Sequence, residues 1–439
     1  MTRLSVIGTG YLGVTHSVCM ASLGHSVIAL DVDPEKISAL SQGKVPFHEP
    51  ELPEMLTASL ASGNLTFTTD FKEIAEQADV HFLCVGTPQS DGSGAADLSQ
   101  IQNAIAALAP LLTKPCLVVG KSTVPVGTAK WISEYFAENS PAGSDVHVVW
   151  NPEFLREGFA VQDTLHPDRI VLGVTHTDDV KILEAIYSEA LAELTPLIVT
   201  DYATAELVKV AANAFLATKI SFINSFADLA DKVGADVATL ADAIGHDTRI
   251  GRRFLNAGIG FGGGCLPKDI RALQARATEL GLTEQFAFLK NVDAVNQYRR
   301  THVVELAREN LGELAGKTIT VLGAAFKPDS DDIRDSPALD IALALASGGA
   351  NVQLHDPVAL AQVRSRNLPV TAIDDVAEAF ANADLVLHLT EWQSYREINP
   401  VKLGELVKTK RIIDGRNVLD KELWSSAGWK ITYLGKPGS

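Results

Sequence analysis

With 439 residues, 46% of them hydrophobic and 21% charged, the chain exceeds a single core and is too apolar for disorder, so two or three domains are expected. No apolar run approaches the roughly 20 residues that span a bilayer, which excludes a helical membrane protein. The formal net charge of −17 repels nucleic acid and anionic lipid alike, so a phosphate-bearing ligand requires a local cluster of Lys and Arg.

From Met1 the chain runs straight into a strand-like stretch at 4–7, leaving no room for a signal peptide, and a cytoplasmic location is expected. A helix over 14–23 and strands at 27–30, 80–85 and 117–119 follow. Short apolar strands separated by helical patterns predict a parallel sheet covered on both faces, a doubly wound α/β domain. Within it, Gly8-Thr9-Gly10-Tyr11-Leu12-Gly13 follows a strand and opens a helix, and Asp31 ends the next strand. The first glycine permits the turn, the second lets backbone approach a pyrophosphate, and the third allows close helix packing at a terminus that attracts anions. Asp31 suits a ribose 2′-hydroxyl and repels a 2′-phosphate, which favours NAD over NADP, although the nearby Lys36 runs against that preference.

Residues 201–234 carry an uninterrupted helical pattern, longer than the usual 11–12 residues, and are expected to cross between domains or form a subunit interface. Glu206, Lys209, Asn213 and Asn224 fall near one face, at offsets of three, seven and eighteen, as a polar stripe that periodicity alone equally allows to be a solvated face. Of the four cysteines, Cys19, Cys84 and Cys116 sit in apolar patterns and are expected in the core; no CxxC pair suggests a disulfide framework or a zinc site. Cys265 differs. It follows the glycine-dense run Gly258 to Gly264 and precedes a helix with Pro267 expected at its first position, where the helix dipole and Lys268 favour a thiolate. A second helical region is expected over about 267–311. From Lys317 the pattern echoes the first domain: strand 319–322, helix 339–346, strand 352–355 ending in Asp356, then Ala383-Asp384 leading into 385–389, as Ala78-Asp79 leads into strand 80–85. Its first loop reads Gly323-Ala324-Ala325-Phe326-Lys327-Pro328, without the glycine fingerprint, so a different ligand is expected.

The combination of GxGYxG at 8–13, Ser122-Thr123-Val124-Pro125-Val126-Gly127-Thr128, Asn151-Pro152-Glu153-Phe154-Leu155-Arg156-Glu157-Gly158, Lys209 with Asn213, FGGGCLPKD at 261–269, Phe326-Lys327-Pro328, Arg334 and Asp414-Gly415-Arg416 resembles the UDP-glucose/GDP-mannose dehydrogenase family over nearly the whole chain. The resemblance implies two Rossmann-like doubly wound α/β domains joined by a long central helix and a helical middle domain. The expected boundaries are 1–200 for the NAD-binding domain, 201–312 for the central domain with the cysteine loop, and 313–439 for the nucleotide-sugar domain. It implies a four-electron oxidation of the C6 hydroxyl of a nucleotide hexose, favouring UDP-glucose over GDP-mannose or an N-acetylated UDP-hexose, with NAD as cofactor and Cys265 as covalent nucleophile. A two-electron hydroxy-acid dehydrogenase is the alternative chemistry.

By the same resemblance, Lys209 and Asp269 lie near the reacting oxygen, Lys209 and Asn213 stabilise oxyanions, and Glu153 with Thr123 holds the hydrolytic water. Read without it, Glu153 is a first-turn acid after Asn151-Pro152. The implied cofactor contacts are Gly8, Gly10, Tyr11, Leu12, Gly13, Asp31, Lys36, Gly86, Thr87, Pro88, Ser122, Thr123, Glu157, Cys265, Lys268 and Arg334. The substrate contacts are Glu153, Phe154, Leu155, Arg156, Lys209, Asn213, Arg249, Asn256, Gly260, Phe261, Gly262, Cys265, Phe326, Lys327 and Arg416. Gly264 stands where the family commonly carries serine, and Leu266 where phenylalanine is frequent. A homodimer through the long helix is expected, with neither nucleic acid nor membrane as a partner.

Overall fold

A computed structural model describes residues 2–90 and 92–436. The chain divides into two compact units, Met1–Ala212 with Ala275–Gly281, and Asn213–Gln274 with Leu282–Ser439. In the first, strands β1 (Arg3–Ile7), β2 (Ser26–Leu30), β3 (Leu65–Thr68), β4 (Val80–Leu83), β5 (Cys116–Gly120), β6 (Val146–Trp150), β7 (Ile170–Gly173) and β8 (Leu197–Thr200) form one sheet in the order β3-β2-β1-β4-β5-β6-β7-β8. All neighbours are parallel except β6 and β7. Both faces are buried, because successive side chains point to opposite sides. Val27, Ala29, Val80 and Phe82 enter one core, and Ile28, Leu30, Leu83 and Val118 enter the other.

The second unit holds β9 (Thr318–Leu322), β10 (Asn351–His355), β11 (Thr371–Ala372), β12 (Leu385–His388), β13 (Arg411–Asp414) and β14 (Lys430–Tyr433), all parallel, in the order β11-β10-β9-β12-β13-β14. Counted from its own first strand, this is the same 3-2-1-4-5-6 order as the first six strands of the other sheet.

The helical stretch expected at 201–234 is a single 32-residue helix, Tyr202–Val233, and the division between the units falls within it, after Ala212. It stops at Gly234, whose φ of +75° allows the N–H groups of Gly234 and Ala235 both to reach the Ala230 carbonyl. A further helix, Val237–Gly245, capped by Asp236, was not among the sequence expectations. The region expected as helical over 267–311 is two helices, Leu266–Glu279 and Ala287–Leu311, separated where Gly281 takes a φ of +75°. Pro267 is therefore the second residue of its helix, not the first.

Candidate active site

The GxGYxG turn lies at the carboxyl end of β1, where the strand order reverses between β2 and β4. Gly8 has a φ of +94°, and a Cβ there would lie 2.9 Å from the Val85 backbone. At Gly13 a Cβ would fall 1.8 Å from the Gly8 carbonyl oxygen, so only glycine lets the helix Tyr11–Ser22 pack against the turn. Gly10 has an ordinary φ of −74° and no atom within 4 Å of an added Cβ, so nothing in the chain itself requires glycine. That open backbone at a helix N-terminus fits a pyrophosphate.

Asp31, buried at the end of β2, accepts from the Thr9 N–H and hydroxyl, both at 2.8 Å, from Asp33 N–H at 3.1 Å and from Lys36 Nζ at 2.9 Å. Burial pushes its pKa up, but the Lys36 ammonium and the Thr9 donors outweigh burial and hold the carboxyl below its usual range. Beside β1, Thr87 donates to the Thr123 carbonyl at 2.7 Å and Ser122 to the Val85 carbonyl at 2.7 Å, so Gly86-Thr87-Pro88 and Ser122-Thr123 form one rim. Tyr11 and Leu12 are half-buried.

Tyr11 donates to Glu49, a carboxylate that sequence reading missed. Glu49 is 2% exposed and also accepts from Gly158 N–H at 2.6 Å and Ala160 N–H at 2.7 Å, so it fastens the far end of the Glu153-containing loop to the glycine turn. Half-buried Glu157 precedes this anchor. Glu153 is not a first-turn acid, because the next helix, Ala160–Leu165, begins seven residues later. One Glu153 oxygen accepts from Leu155 N–H at 2.7 Å and the other lies 2.9 Å from Lys209 Nζ, both side chains well buried. The Phe154 ring has the Lys209 ammonium 5.7 Å from its centroid and the Arg169 guanidinium at 3.7 Å. Arg156 is exposed and forks onto Asp163.

The polar stripe on the long helix is buried, not solvated: Glu206, Lys209, Asn213 and Asn224 are 2%, 4%, 8% and 0% exposed. Each has a specific partner. Glu206 accepts from Gly127 and Ala129 N–H at 2.7 and 2.6 Å and caps the helix Thr128–Asn139, with burial pushing its pKa up. Lys209 meets Glu153. Asn213 donates to Asp269 at 2.6 Å, and Lys268 Nζ lies 2.7 Å from the other Asp269 oxygen. Asn224 accepts from Gly258 N–H at 2.8 Å.

In the second unit the loop before Cys265 is gripped along its length. Arg299, fully buried, donates to the Gly258 carbonyl at 2.9 Å. Asn296 accepts from Phe261 N–H at 2.7 Å and donates to the Phe261 carbonyl at 2.9 Å, an approach open only because Gly260, at φ +95°, has no Cβ. Arg416 reaches the carbonyls of Leu389, Gly260 and Phe326 at 2.7, 3.3 and 3.1 Å, bringing three loops together. Gly262 packs on Asp335 and Gly263 on the Phe326 ring. Lys327 is half-buried, 5.7 Å above the Phe326 ring. Arg249 is exposed and paired with Asp247, and Asn256 is exposed and bonded to Arg252. Asn296, Arg299 and Arg300, the last bonded to Asp335, were missed by sequence reading; their only signal is a polar cluster on an otherwise apolar helix face.

Cys265 is exposed, and its carbonyl accepts from Asp269 N–H at 2.9 Å, which makes it the N-cap of the helix Leu266–Glu279. Cys19 and Cys84 are buried as expected, whereas Cys116, opening β5, is only half-buried. Burial pushes these three thiols up, to about 12, 12 and 11.

The chain matches the UDP-glucose/GDP-mannose dehydrogenase family in three segments: its NAD binding domain over 2–191, its central domain over 203–298 and its UDP binding domain over 320–421. It is 40% identical to the UDP-glucose 6-dehydrogenase TuaD of Bacillus subtilis (strain 168), covering 100% of this chain and 94% of that protein. It is 41% identical to a UDP-glucose 6-dehydrogenase of Rhizobium meliloti (strain 1021), covering 99% and 100%. The structure of a UDP-glucose dehydrogenase from Pyrobaculum islandicum superposes with a TM-score of 0.91 at 37% identity, covering 100% of this chain and 98% of that one.

Proposed function

The chain belongs to the UDP-glucose/GDP-mannose dehydrogenase family, and from that premise we propose that its NAD-dependent oxidation of UDP-glucose to UDP-glucuronate runs through a covalent bond to Cys265. The observation that carries the covalent route is the contrast among the thiols: Cys265 is exposed at the N-terminus of a 14-residue helix on a gripped loop, while the other three are withdrawn into or against the core. The glycine turn with Asp31 holds the dinucleotide, aided by Tyr11, Leu12, Lys36, Gly86-Thr87-Pro88, Ser122, Thr123, Glu157, Lys268 and Arg334. Phe154, Leu155, Arg156, Arg249, Asn256, Gly260 to Gly262, Phe326, Lys327 and Arg416 take the sugar nucleotide. We divide this labour among 1–200, 201–312 and 313–439.

Four electrons leave C6, so two hydrides depart and one water oxygen enters. NAD, when bound, supplies the acceptor for each hydride, one molecule per oxidation. Asp269 receives the C6 hydroxyl proton, through an ordered water that the Lys209 ammonium helps to hold, as the first hydride departs. The Cys265 thiolate adds to the aldehyde carbon, forming a C–S bond, and Lys209 and Asn213 stabilise the oxyanion, which takes a proton. Loss of that proton and of the second hydride leaves a thioester. Glu153 and Thr123 hold the water that attacks it; Glu153 takes the water proton, the C–S bond breaks and the thiolate returns. The 2.9 Å contact between Glu153 and Lys209 supports this division, because it sets the carboxylate beside the ammonium that faces the reacting oxygen.

Two NADH per UDP-glucose, with Cys265→Ser unable to form acid and stalled at the aldehyde level, is the expected result. One NADH per substrate, or normal acid production by that variant, overturns the covalent route. Phe215, Phe222, Leu229 and Val233, each 47–66% exposed, lie on one face of the long helix and support a homodimer there. Among the described residues no helix is long and apolar enough to cross a membrane. A cytoplasmic location is part of the same proposal.

A further inference from the structure

Gly264 directly precedes Cys265, and the space its side chain would fill is occupied by a guanidinium. A Cβ at Gly264 would lie 2.6 Å from Arg334 Cζ and 2.7 and 2.8 Å from its terminal nitrogens, closer than real Cβ atoms come to any neighbour. The backbone makes no such demand, since Gly264 is not among the positions with positive φ. Arg334 is held in this seat from two sides. Its Nε and one terminal nitrogen fork onto Asp332 at 2.8–3.0 Å, and its carbonyl accepts from Gly263 N–H at 3.0 Å.

We propose that Arg334, admitted by the missing side chain of Gly264, is a positioning residue for Cys265: it sets a cation beside the backbone one residue from the thiol and so enlarges the thiolate fraction. The other charged groups of this unit near the thiol largely satisfy one another. Lys268 pairs with Asp269, which also takes Asn213, and Asp335 takes Arg271 and Arg300. Asp332 offsets part of the Arg334 charge, which keeps the expected effect moderate. The inference rests on Cys265 as the nucleophile and adds the group that tunes it.

The test is the rate of Cys265 alkylation by iodoacetamide against pH, in which the thiolate sulfur displaces iodide to form a C–S bond. It uses the full chain without substrate, with Cys265→Ser as background. Gly264→Ala pushes the guanidinium out through the flexible end of a mostly exposed side chain, so the fold survives; Arg334→Gln removes the charge. Each is expected to raise the apparent pKa of alkylation by about half to one unit, slowing the reaction near neutral pH about three- to tenfold, with Arg334→Lys between them and the wild type. The double variant should lose no more than either single one, because both remove the same contact. Unchanged alkylation curves in both single variants, or additive effects in the double, overturn the proposal. Normal acid production by Cys265→Ser would instead sink the covalent route while leaving the alkylation result legible.

Discussion

The two sheets share a strand order and part company within three residues of their first strands. After β1, Gly8 at φ +94° donates to Leu30 at 2.8 Å; after β9, Gly323 at φ +113° donates to His355 at 2.8 Å. Here the likeness ends. In the first sheet the helix starts at Tyr11, so its N-terminus stays open to a phosphate, whereas in the second it waits until Pro337. The acid after the second strand is spent differently too. Asp356 accepts from the N–H groups of Ala324, Ala325, Val358 and Ala359 and from Trp392 Nε1, all within the protein. Asp31 accepts from Thr9 in the glycine turn, from Asp33 N–H and from the Lys36 ammonium, a cation with no counterpart among the Asp356 donors. Topology supplies a crevice at the same place twice, and the residue at which the helix begins decides whether it binds a dinucleotide or lends a loop. That loop carries Phe326 and Arg334 to Gly263 and Gly264 beside Cys265.

The largest way to break the contrast is at Gly13. A Cβ 1.8 Å from the Gly8 carbonyl meets backbone, so Gly13→Ala should cost about 3 kcal/mol or more and abolish NAD binding, read by denaturation and cofactor titration. Normal stability there would mean that the helix start is not what shapes the first turn. Next come the two acids. Asp356→Asn strips a buried carboxylate from several N–H donors and should lose about 2–3 kcal/mol with the KM for NAD unchanged. Asp31→Asn should raise that KM about tenfold with a smaller loss of stability. The reverse pattern would show that the acids have each other's roles. Gly10→Ala sharpens the point further, because nothing in the chain lies near the added methyl group. Stability should hold within about 0.5 kcal/mol while the KM for NAD rises about tenfold.

Much of this was legible because it is written locally. Strand positions, the glycine turn with Asp31, the 32-residue helix and the cysteine loop each announce themselves in one continuous stretch of sequence. The grip on the cysteine loop was not, since Asn296 and Arg299 hold Phe261 and Gly258 from 35 and 41 residues away. Glu49 is likewise separated from Ala160 by 111 residues, and no local pattern distinguishes a carboxylate that will cap a distant helix from one left in water. The polar stripe on the long helix fell between these cases: its spacing was visible, but whether it faced water depended on partners contributed by other segments. Pro267 sits one position inside its helix because Cys265 is the N-cap, and the break at 280–286 forms where Gly281 turns left-handed, two ends that periodicity does not mark.

The smallest effects test the likeness of the two sheets, not their difference. Asp79 and Asp384 each precede the strand that lies across the first strand, and each donates its N–H to that strand's opening, to Arg3 at 3.0 Å and to Thr318 at 2.8 Å. Their carboxylates differ. Asp384 accepts from Thr318 N–H at 3.0 Å and lies 2.9 Å from Lys408, with only 10% of its side chain exposed, whereas Asp79 pairs with Arg3 and Lys114 in the open. Burial raises both pKa values, but the Thr318 and Lys408 donors for Asp384, and Arg3 and Lys114 for Asp79, leave each below the usual carboxylate range. A carboxyl with a lowered folded-state pKa stabilises the fold fully above its unfolded value of about 4, and that contribution is lost as pH falls through the folded value. Asp384→Asn should therefore cost about 1 kcal/mol at neutral pH, Asp79→Asn less because water screens its partners, and both differences from the wild type should shrink in acid. Denaturation midpoints measured from pH 7 down to 3 check this, and a cost for Asp79 equal to that for Asp384 would mean that the strand opening, not the buried N–H acceptor, sets the energy at this shared position.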